Sequence, residues 1–559
     1  MTSLLSKASK ILAVGGVGVG AVAIYRYQNL IVEESKLPTN EMFRFDDTIQ
    51  NSQKKQLVVI GGGVVGITAA YKAALKGHSV VLLENRSEPG KECSACAAGG
   101  MQRSNPVVDR GTWIAVTKCI MPMTRYILGG PDEAYKFFHI DWEKCITDPF
   151  FLRWSLTFAR TSFLPPADQT EKQKEMLAFT DFAVMDMKKM MKNKKDNMAI
   201  KSGYNPFGSL SLSYDAPACN SAAFPVEKKE KPSPPINLGK TAAKTEGAAP
   251  KNPSASGRAL EPFRQISGKD VINIETSILH QEKQPTSAKY EYESSAASSE
   301  RFTEELAKRC LKDTKLDVTI FYDTKVKAVN TGKISSGKES ITQLRTNRGV
   351  IDVPKGVQVL NAAGAWAPHL MALMGVYAPV YPLKGYAMSV SANDILSKSK
   401  NLKPKDFPQR IVSDKYMYTS RLGDEVRITS VGEFSGWSTH PTPSVEAEFR
   451  EEAVRQFPQL EQYIRETKTK CGHRPYVSDG ILLLGRVKEF DNLLVSCGPG
   501  SNGWKLAMGS GEIVERLVSG QTEDEISKEL GFDAHSFSPA GRVRHSPLFA
   551  KLCRARWNV

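Results

Sequence analysis

The sequence contains few cysteines and few aromatic residues. Nine of its 559 residues are cysteine, and phenylalanine, tryptophan and tyrosine together make up 8%. An odd number of scattered thiols argues against a disulfide framework and indicates a reducing compartment. Because no stripe of lysine and arginine is interleaved with aromatic residues, we predict no nucleic-acid partner. Cys93-x-x-Cys96 lacks a second such pair or a histidine pair, so we predict no metal site.

The amino terminus lacks acidic residues. Residues 1–32 contain no Asp or Glu, and Lys7, Lys10 and Arg26 flank an apolar run at residues 11–25. At about 1.5 Å per residue, a helix of this run is too short for a hydrocarbon core of about 30 Å. We expect a mitochondrial address, with attachment to the inner membrane through residues 11–25. A secretory segment and the frayed tail of a cytoplasmic protein stay open as alternatives.

The overall composition is that of an ordinary globular protein. Apolar residues make up 41% and charged residues 24%, which excludes a wholly disordered, collagen-like or multi-span membrane chain. The length fits two or three domains. A net charge of +15 is compatible with an anionic partner, but we prefer a generally basic soluble protein.

The strongest motif is a glycine turn between a strand and a helix. Gly61, Gly63 and Gly66 form a GxGxxG pattern directly after the apolar run at residues 57–60. Such glycines allow a tight turn, the approach of a diphosphate, and close packing of helix and strand. Glu84 ends the next apolar run, where a carboxylate accepts hydrogen bonds from a ribose. We predict a dinucleotide site.

Two later segments favour FAD over NAD. Residues 357–365 form an apolar strand that ends in small residues, and residues 492–511 form a strand, a glycine-rich loop and a helix start. A helix amino terminus stabilises negative charge on a reduced flavin. An NAD dehydrogenase has no evident need for this third glycine-rich element.

Taken together, these motifs resemble the D-amino-acid oxidase-like flavoproteins, with bacterial D-amino-acid dehydrogenase the most similar. The resemblance covers residues 56–520. It rests on GGGVVG with LLEN, ECSACAAGG at 92–100, PVYPLKGYAMSV at 379–390, CGHRPYVSDGILLLG at 471–485 and GPGSNGW at 498–504.

The resemblance implies an α/β fold (α+β mixed) with two domains. A Rossmann-like FAD-binding domain is built from the discontinuous segments 56–110, 301–375 and 471–525. A mixed-sheet substrate domain comprises 111–300, with a disordered insertion at 225–262, and 376–470. We assign 1–55 to the targeting or membrane-anchor segment and a linker, and 526–559 to a tail.

The resemblance also implies which residues contact FAD. Val326 corresponds to a family valine whose backbone meets adenine. Cys471 lies one residue from the position where some sarcosine oxidases attach flavin, so we expect noncovalent FAD. The implied cofactor-binding residues are Gly61, Gly63, Val64, Val65, Gly66, Glu84, Asn85, Ser94, Ala98, Gly99, Gly100, Val326, Ala363, Gly364, Arg474, Gly498, Gly500, Ser501, Asn502, Gly503 and Trp504.

An amino-acid substrate needs a cation for its carboxylate. Arg474 matches the position where related amine oxidases place their carboxylate arginine, and a guanidinium binds a carboxylate through two hydrogen bonds. Lys505 is the second substrate-binding candidate, because sarcosine oxidase-like enzymes place a lysine there. Tyr386, Tyr418 and His473 are candidate catalytic pocket groups, each equally consistent with a packed residue.

The chemistry implied by the resemblance is oxidation of a CH–NH bond. A hydride passes from Cα to flavin N5, and the resulting imine is hydrolysed to a 2-oxo acid and ammonia. The protein positions Cα, excludes water and binds the carboxylate. The partners are a small amino-acid substrate and an electron acceptor, which is a quinone, an electron-transfer protein or oxygen.

Two alternatives stay open. One is an oxidase of sarcosine or another N-methyl amino acid. The other is a flavin-binding assembly factor for a mitochondrial respiratory complex, which would suit the amino-terminal segment and the basic insertion. Pro499 stands where dehydrogenase-like sequences often carry histidine, so oxygen reactivity and the substrate are not fixed by the resemblance.

Overall fold

The structure is a computed structural model that describes residues 36–45, 55–103, 138–162, 166–193, 197–214 and 263–550. The apolar run at residues 11–25 and the insertion at 225–262 lie outside the described residues. Within the described ranges, no helix is long and apolar enough to cross a membrane.

Within the described ranges, the strands belong to three larger sheets and one short pair. In chain order they are β1 (Glu41–Phe43), β2 (Gln56–Ile60), β3 (Ser79–Leu83), β4 (Phe138–Ile140), β5 (Ser209–Ser213), β6 (Phe263–Ser267), β7 (Ser287–Glu291), β8 (Val318–Phe321), β9 (Val326–Lys333), β10 (Glu339–Thr346), β11 (Val350–Asp352), β12 (Gln358–Asn361), β13 (Val376–Tyr377), β14 (Val380–Ser391), β15 (Ile411–Ser413), β16 (Met417–Leu422), β17 (Glu425–Phe434), β18 (Lys470–Val477), β19 (Leu483–Arg486), β20 (Leu493–Cys497) and β21 (Arg544–His545).

The helices connect and cover these sheets. In chain order they are α1 (Val64–Leu75), α2 (Trp142–Ile146), α3 (Pro149–Ser162), α4 (Pro166–Lys192), α5 (Met198–Lys201), α6 (Gly268–Ile274), α7 (Ser299–Lys312), α8 (Ala367–Leu373), α9 (Ala392–Lys398), α10 (Pro443–Gln456), α11 (Glu461–Glu466), α12 (Gly503–Val518) and α13 (Glu523–Leu530).

A six-stranded sheet forms the half predicted to bind the nucleotide, in the order β19-β20-β12-β2-β3-β8. Its strands are parallel except at the β19/β20 pair. Alternate residues of β2 pack on opposite faces: Leu57 and Val59 contact the core under α1, α7 and α12, whereas Val58 and Ile60 contact α8 and β10. Because both faces are covered, the strands are continuous apolar runs, as expected for a parallel sheet.

The assignment of residues 1–55 to a targeting or membrane-anchor segment and a linker is partly wrong. β1 pairs in parallel with β11 and completes a four-stranded sheet of order β1-β11-β10-β9. Met42, Phe43 and Phe45 pack against the apolar core of that sheet, and Phe43 contacts Phe321 edge-to-face. These few apolar side chains stand in a polar stretch, which is why composition alone indicated a linker.

A larger mixed sheet forms the half predicted to bind the substrate, in the order β18-β14-β17-β16-β15-β5-β7-β6, with β4 paired to β17. The β15/β5 and β17/β4 pairs are parallel and the other pairs are antiparallel. We placed the start of the third FAD-binding segment at residue 471. The structure instead places residues 470–477 in this sheet, because β18 pairs with β14 along its whole length.

The predicted tail is folded as far as the structure describes it. α13 begins at a capping box formed by Thr522 and Glu525, and β21 pairs with β13. Phe532 and Phe537 pack against Phe179 of α4. Their burial explains why this segment is ordered, although it carries no motif of its own.

Candidate functional site

One cavity of about 1500 Å³ lies between the two large sheets. The carboxyl ends of β2, β3, β12 and β20 border it through Ile60, Leu83, Ala362 and Cys497, which is where open α/β sheets bind ligands. Of the predicted site residues, all but three line this cavity. The three that do not are Gly66, Gly498 and Tyr386.

The glycine turn is shaped by close contacts of the backbone. Gly61 has a φ of +112°, and a Cβ there would lie 2.6 Å from the Ala362 carbonyl oxygen. A Cβ on Gly66 would lie 1.9 Å from the Gly61 carbonyl oxygen, so Gly66 lets α1 pack on β2. By contrast, a Cβ on Gly63 would meet within 4 Å only the Ser94 hydroxyl, at 3.6 Å. The Gly63 backbone therefore leaves room beside it for a ligand.

Glu84 lies at the end of β3 with 8% of its surface exposed. Its carboxylate accepts hydrogen bonds from the backbone N–H of Gly62 at 2.6 Å and of Arg86 at 2.7 Å. Burial raises the pKa of Glu84, and these two hydrogen bonds oppose that rise. Each oxygen keeps lone pairs for ribose hydroxyls, and Asn85 and Val326 line the adjoining wall.

The helices α1 and α12 begin at the cavity and have no acidic residues in their first turns. The positive ends of their dipoles are therefore available to an anion. Opposite α1, Gly364 has a φ of +55°, and a Cβ there would meet no other atom within 4 Å. The residues present therefore fit a dinucleotide with its diphosphate at the glycine turn.

The loop that contains Ala95–Gly99 is held by contacts the motifs did not reveal. Arg427 on β17 donates hydrogen bonds to the carbonyl oxygens of Ala95 at 2.7 Å and Ala97 at 3.0 Å. Arg427 is only 3% exposed and is paired with Glu425 at 2.6 Å. The Trp504 indole donates to the Gly99 carbonyl at 2.9 Å. The signal for Arg427 was a charged residue between Val426 and Ile428, two apolar core residues of one strand.

Three predicted residues lie away from the cavity wall for separate reasons. Gly66 serves helix packing. Gly498 has a φ of +79°, and a Cβ there would lie 2.1 Å from Val477 Cγ2, so it is needed for the turn after β20. The Tyr386 hydroxyl donates to Glu433 at 2.5 Å, inside a buried network with Lys384. The structure therefore does not bring Tyr386 to the site.

Arg474 lines the cavity from β18. Its guanidinium donates to the Val431 carbonyl at 2.9 Å and to the Ser430 carbonyl at 3.4 Å. Val431 has a φ of +61°, a strained conformation for a β-branched residue, at a bulge between β14 and β17. A Cβ on Gly385 would lie 2.5 Å from Arg474 Nη2. The bulge and this glycine together make the seat of the guanidinium.

His473, Tyr418 and Lys505 also line the cavity. His473 Nε2 lies 3.1 Å from the Ser438 carbonyl oxygen; because a carbonyl only accepts, Nε2 carries the proton. Burial lowers the pKa of His473, so the ring is neutral at pH 7. The Tyr418 hydroxyl donates to Gln102 at 3.0 Å, and burial raises its pKa. Lys505 is largely buried in the first turn of α12.

Three cysteines lie near the loop that contains Ala95–Gly99. Cys93 and Cys96 line the cavity, and a Cβ on Gly472 would lie 3.2 Å from Cys96 Sγ. Burial raises the pKa of Cys93 and Cys471 to about 12 and that of Cys96 to about 11. These thiols stay protonated at neutral pH, and no group of residues that could hold a metal ion occurs among the side chains that the structure describes.

Comparisons with known proteins agree with this geometry. A family model described as FAD dependent oxidoreductase (DAO) matches residues 56–127 and 253–517. D-amino acid dehydrogenase of Allorhizobium ampelinum is 22% identical over 494 residues, which are 87% of this chain and 100% of that protein. Glycine oxidase from Geobacillus kaustophilus has a TM-score of 0.53 at 16% identity, covering 87% of this chain and 98% of that one.

A second solved structure shows the same fold. L-proline dehydrogenase from P. horikoshii has a TM-score of 0.51 at 16% identity and covers 87% of this chain and 98% of that one. The predicted fold class, the family resemblance and FAD as cofactor are confirmed. The family model matches more than half of the residues, and the chain therefore belongs to the DAO family of FAD-dependent oxidoreductases.

Proposed function

We propose that the protein is an FAD-dependent dehydrogenase that oxidises the CH–NH bond of a D-amino acid and releases a 2-oxo acid and ammonia. The observation that carries the proposal is the seated guanidinium of Arg474 in the wall of the cavity. Curated relatives named D-amino acid dehydrogenase support this choice of substrate. Bound FAD supplies the acceptor for a hydride from the substrate Cα.

Arg474 would hold the substrate carboxylate. A guanidinium has five N–H donors, and two of its nitrogens each donate to one backbone carbonyl, at Val431 and Ser430. These two carbonyls fix the plane of the guanidinium, while donors remain for a carboxylate. A bidentate pair sets orientation as well as charge, so it would present one face of Cα to the cofactor.

The ring beside Arg474 carries no charge that would repel a protonated amino group of the substrate. The neighbouring His473 ring is neutral at pH 7 because burial lowers its pKa. It therefore adds no positive charge that would oppose binding of an amino group. Tyr418, whose hydroxyl is hydrogen-bonded to Gln102, lines the same cavity from the sheet that carries Arg474.

The test is anaerobic bleaching of the bound flavin by D-, L- and N-methyl amino acids. We expect D-amino acids to reduce it, and Arg474→Ala to keep normal FAD content while its KM rises at least about 100-fold, since a charged hydrogen-bonded pair contributes about 3 kcal/mol. Arg474→Lys keeps the positive charge but cannot donate two parallel hydrogen bonds, so its KM should lie between those of wild type and Arg474→Ala.

Three results would contradict the proposal. Reduction by N-methyl amino acids alone would favour the sarcosine-type oxidase. Bound FAD that no amine reduces, together with co-purification of a membrane complex, would favour the assembly factor. Unchanged reduction kinetics in Arg474→Ala would remove this arginine from the site.

The electron acceptor can be identified by comparing reoxidation of the reduced flavin by a quinone and by oxygen. We propose that the acceptor is not oxygen.

The cellular location is a proposal from the sequence alone. The absence of acidic residues in residues 1–32 and the basic residues that flank 11–25 support a mitochondrial address. Residues 1–32 fused to a fluorescent protein should carry it to mitochondria. A diffuse cytoplasmic signal would contradict this proposal and leave the catalytic one untouched.

A further inference from the structure

A row of hydroxyl side chains crosses the substrate-side wall of the cavity. Ser211, Ser413, Tyr418 and Thr429 are successive cross-strand partners on β5, β15, β16 and β17, and all four line the cavity. With strands about 4.8 Å apart, this hydroxyl row is about 14 Å long. The sequence motifs point only to its Tyr418 member, because the row exists only once four separate segments pair.

The hydroxyl row starts beside Arg474 and leads away from it. Thr429 precedes Ser430, whose carbonyl accepts a hydrogen bond from Arg474 Nη2. From the strand that carries Arg474, the sheet continues in the order β18-β14-β17-β16-β15-β5. A substrate whose carboxylate lies on Arg474 can therefore extend its side chain along the row, toward Ser413 and Ser211.

The row offers hydrogen bonds and no ionised group of its own. Ser211 Oγ and Ser413 Oγ lie 3.2 Å apart, the Tyr418 hydroxyl donates to Gln102, and Gln102 in turn donates to Ser209 at 2.7 Å. A hydroxyl has one donor and two acceptor positions, so each serine keeps capacity for a ligand. An apolar side chain placed here would displace water from these groups and return no hydrogen bond.

A neighbouring carboxylate does not change this chemistry. Asp414 follows Ser413, and its carboxylate accepts hydrogen bonds from the backbone N–H groups of Tyr416 and Met417. It also pairs with Arg455 at 3.2 Å. Its charge is thus balanced within the protein and is not available to a cationic side chain.

We propose that the hydroxyl row is the side-chain subsite of the substrate, and that the enzyme acts on amino acids with a long, neutral, hydrogen-bonding side chain of the amide or hydroxyl class. This inference rests on the proposed function, because it takes Arg474 as the carboxylate anchor. It goes beyond that function by naming which amino acids the cavity selects.

The test compares glutamine with methionine, which is of similar length and has no comparable hydrogen-bonding groups, in the enantiomer that reduces the flavin. We expect wild type to prefer glutamine by at least about tenfold in kcat/KM. In the double variant Ser211→Ala/Ser413→Ala, which removes two mutually bonded hydroxyls and leaves neither orphaned, kcat/KM for glutamine should fall about tenfold through KM. In the same variant, kcat/KM for methionine should change less than about twofold, and the FAD content should be unchanged.

Ser397→Ala is the matched control, because its hydroxyl makes an exposed bond to Asp394 on α9. This variant should leave kcat/KM for both substrates unchanged. A wild-type preference for methionine, or an equal loss for both substrates in the double variant, would overturn the subsite. A preference for glutamate would also overturn it and would point to Lys415, which lines the cavity next to the row.

The subsite can be tested by ligand binding even if the proposed dehydrogenase activity is absent. If no amino acid reduces the flavin, binding can still be followed by perturbation of the bound FAD spectrum. A glutamine titration that is weakened about tenfold by the double variant, with methionine unaffected, would then support the subsite without the dehydrogenase activity. No difference between the two ligands in that titration would refute it.

Discussion

Alanine at Gly63 and alanine at Gly66 should have opposite consequences, although both glycines belong to one motif. Gly63 is the amino-terminal cap of α1, with φ −69° and ψ 175°, a conformation that alanine adopts freely. Its Cβ would meet within 4 Å only the Ser94 hydroxyl. We therefore expect the apo-protein of Gly63→Ala to be within about 1 kcal/mol of wild type, while its methyl group occupies the space of the diphosphate.

In Gly66→Ala, by contrast, the added Cβ would collide with backbone atoms. Its Cβ would lie 1.9 Å from the Gly61 carbonyl oxygen and 3.3 Å from Val59 Cγ1. Neither β2 nor α1 can yield locally, because both are buried between other elements. Overpacking of this kind costs about 1–3 kcal/mol of stability, so this variant should be destabilised with or without FAD.

The assay is thermal unfolding of apo and FAD-saturated protein, with FAD stoichiometry measured by absorbance. Wild type should gain stability on FAD addition through ligand linkage. Gly63→Ala should start from the wild-type apo Tm and lose that gain, whereas Gly66→Ala should start from a lower apo Tm. A Gly63→Ala protein that binds FAD as tightly as wild type would refute the placement of the diphosphate at this turn.

Three further predictions concern buried polar groups. Arg427→Gln should cost about 3 kcal/mol, because it removes the short ion pair with half-buried Glu425 and releases the carbonyls of Ala95 and Ala97; a chemical denaturation midpoint unchanged from wild type would contradict this. Alkylation of Cys96 by iodoacetamide in the native protein should be about 100-fold slower than that of an ordinary thiol, since burial raises its pKa from 9.0 to about 11; mass spectrometry of native and unfolded samples checks it. Because burial lowers the pKa of His473, its contribution to stability is present above the unfolded pKa of about 6.5 and is lost as pH falls. The fall in Tm between pH 7.5 and 5.5 should be smaller in His473→Gln, and an identical fall would show that the ring is not held neutral.

The nucleotide-binding half could be predicted from the sequence because its signals are local. A strand, a glycine turn, a helix and a second strand follow one another within about 30 residues, and Gly61, Gly66 and Glu84 contact backbone that lies nearby in the chain or in an adjacent strand. Each residue type is dictated by the backbone path itself. The family resemblance then extended this local pattern to the distant segments.

The substrate half was less predictable because its contacts join distant segments. Arg427 is separated from the loop carbonyls that it binds by more than 300 residues, and the bulge at Val431 depends on how β14 and β17 pair. Tyr386 on β14 was predicted as a pocket candidate that was equally consistent with a packed residue. Strand alternation and the bulge direct its hydroxyl to Glu433 instead.

The arginine seat explains why the strain at Val431 is tolerated. A non-glycine residue at positive φ costs about 1–3 kcal/mol and persists only where its surroundings fix it. Here the bulge turns the Val431 carbonyl toward Arg474, and Gly385 removes the one side chain that would occupy the guanidinium's position. A regular β14/β17 ladder would direct that carbonyl to a strand partner and leave the arginine free to rotate. The fold therefore gives up local stability to hold one cation in a fixed plane, which is what the proposed oxidation of a substrate CH–NH bond requires.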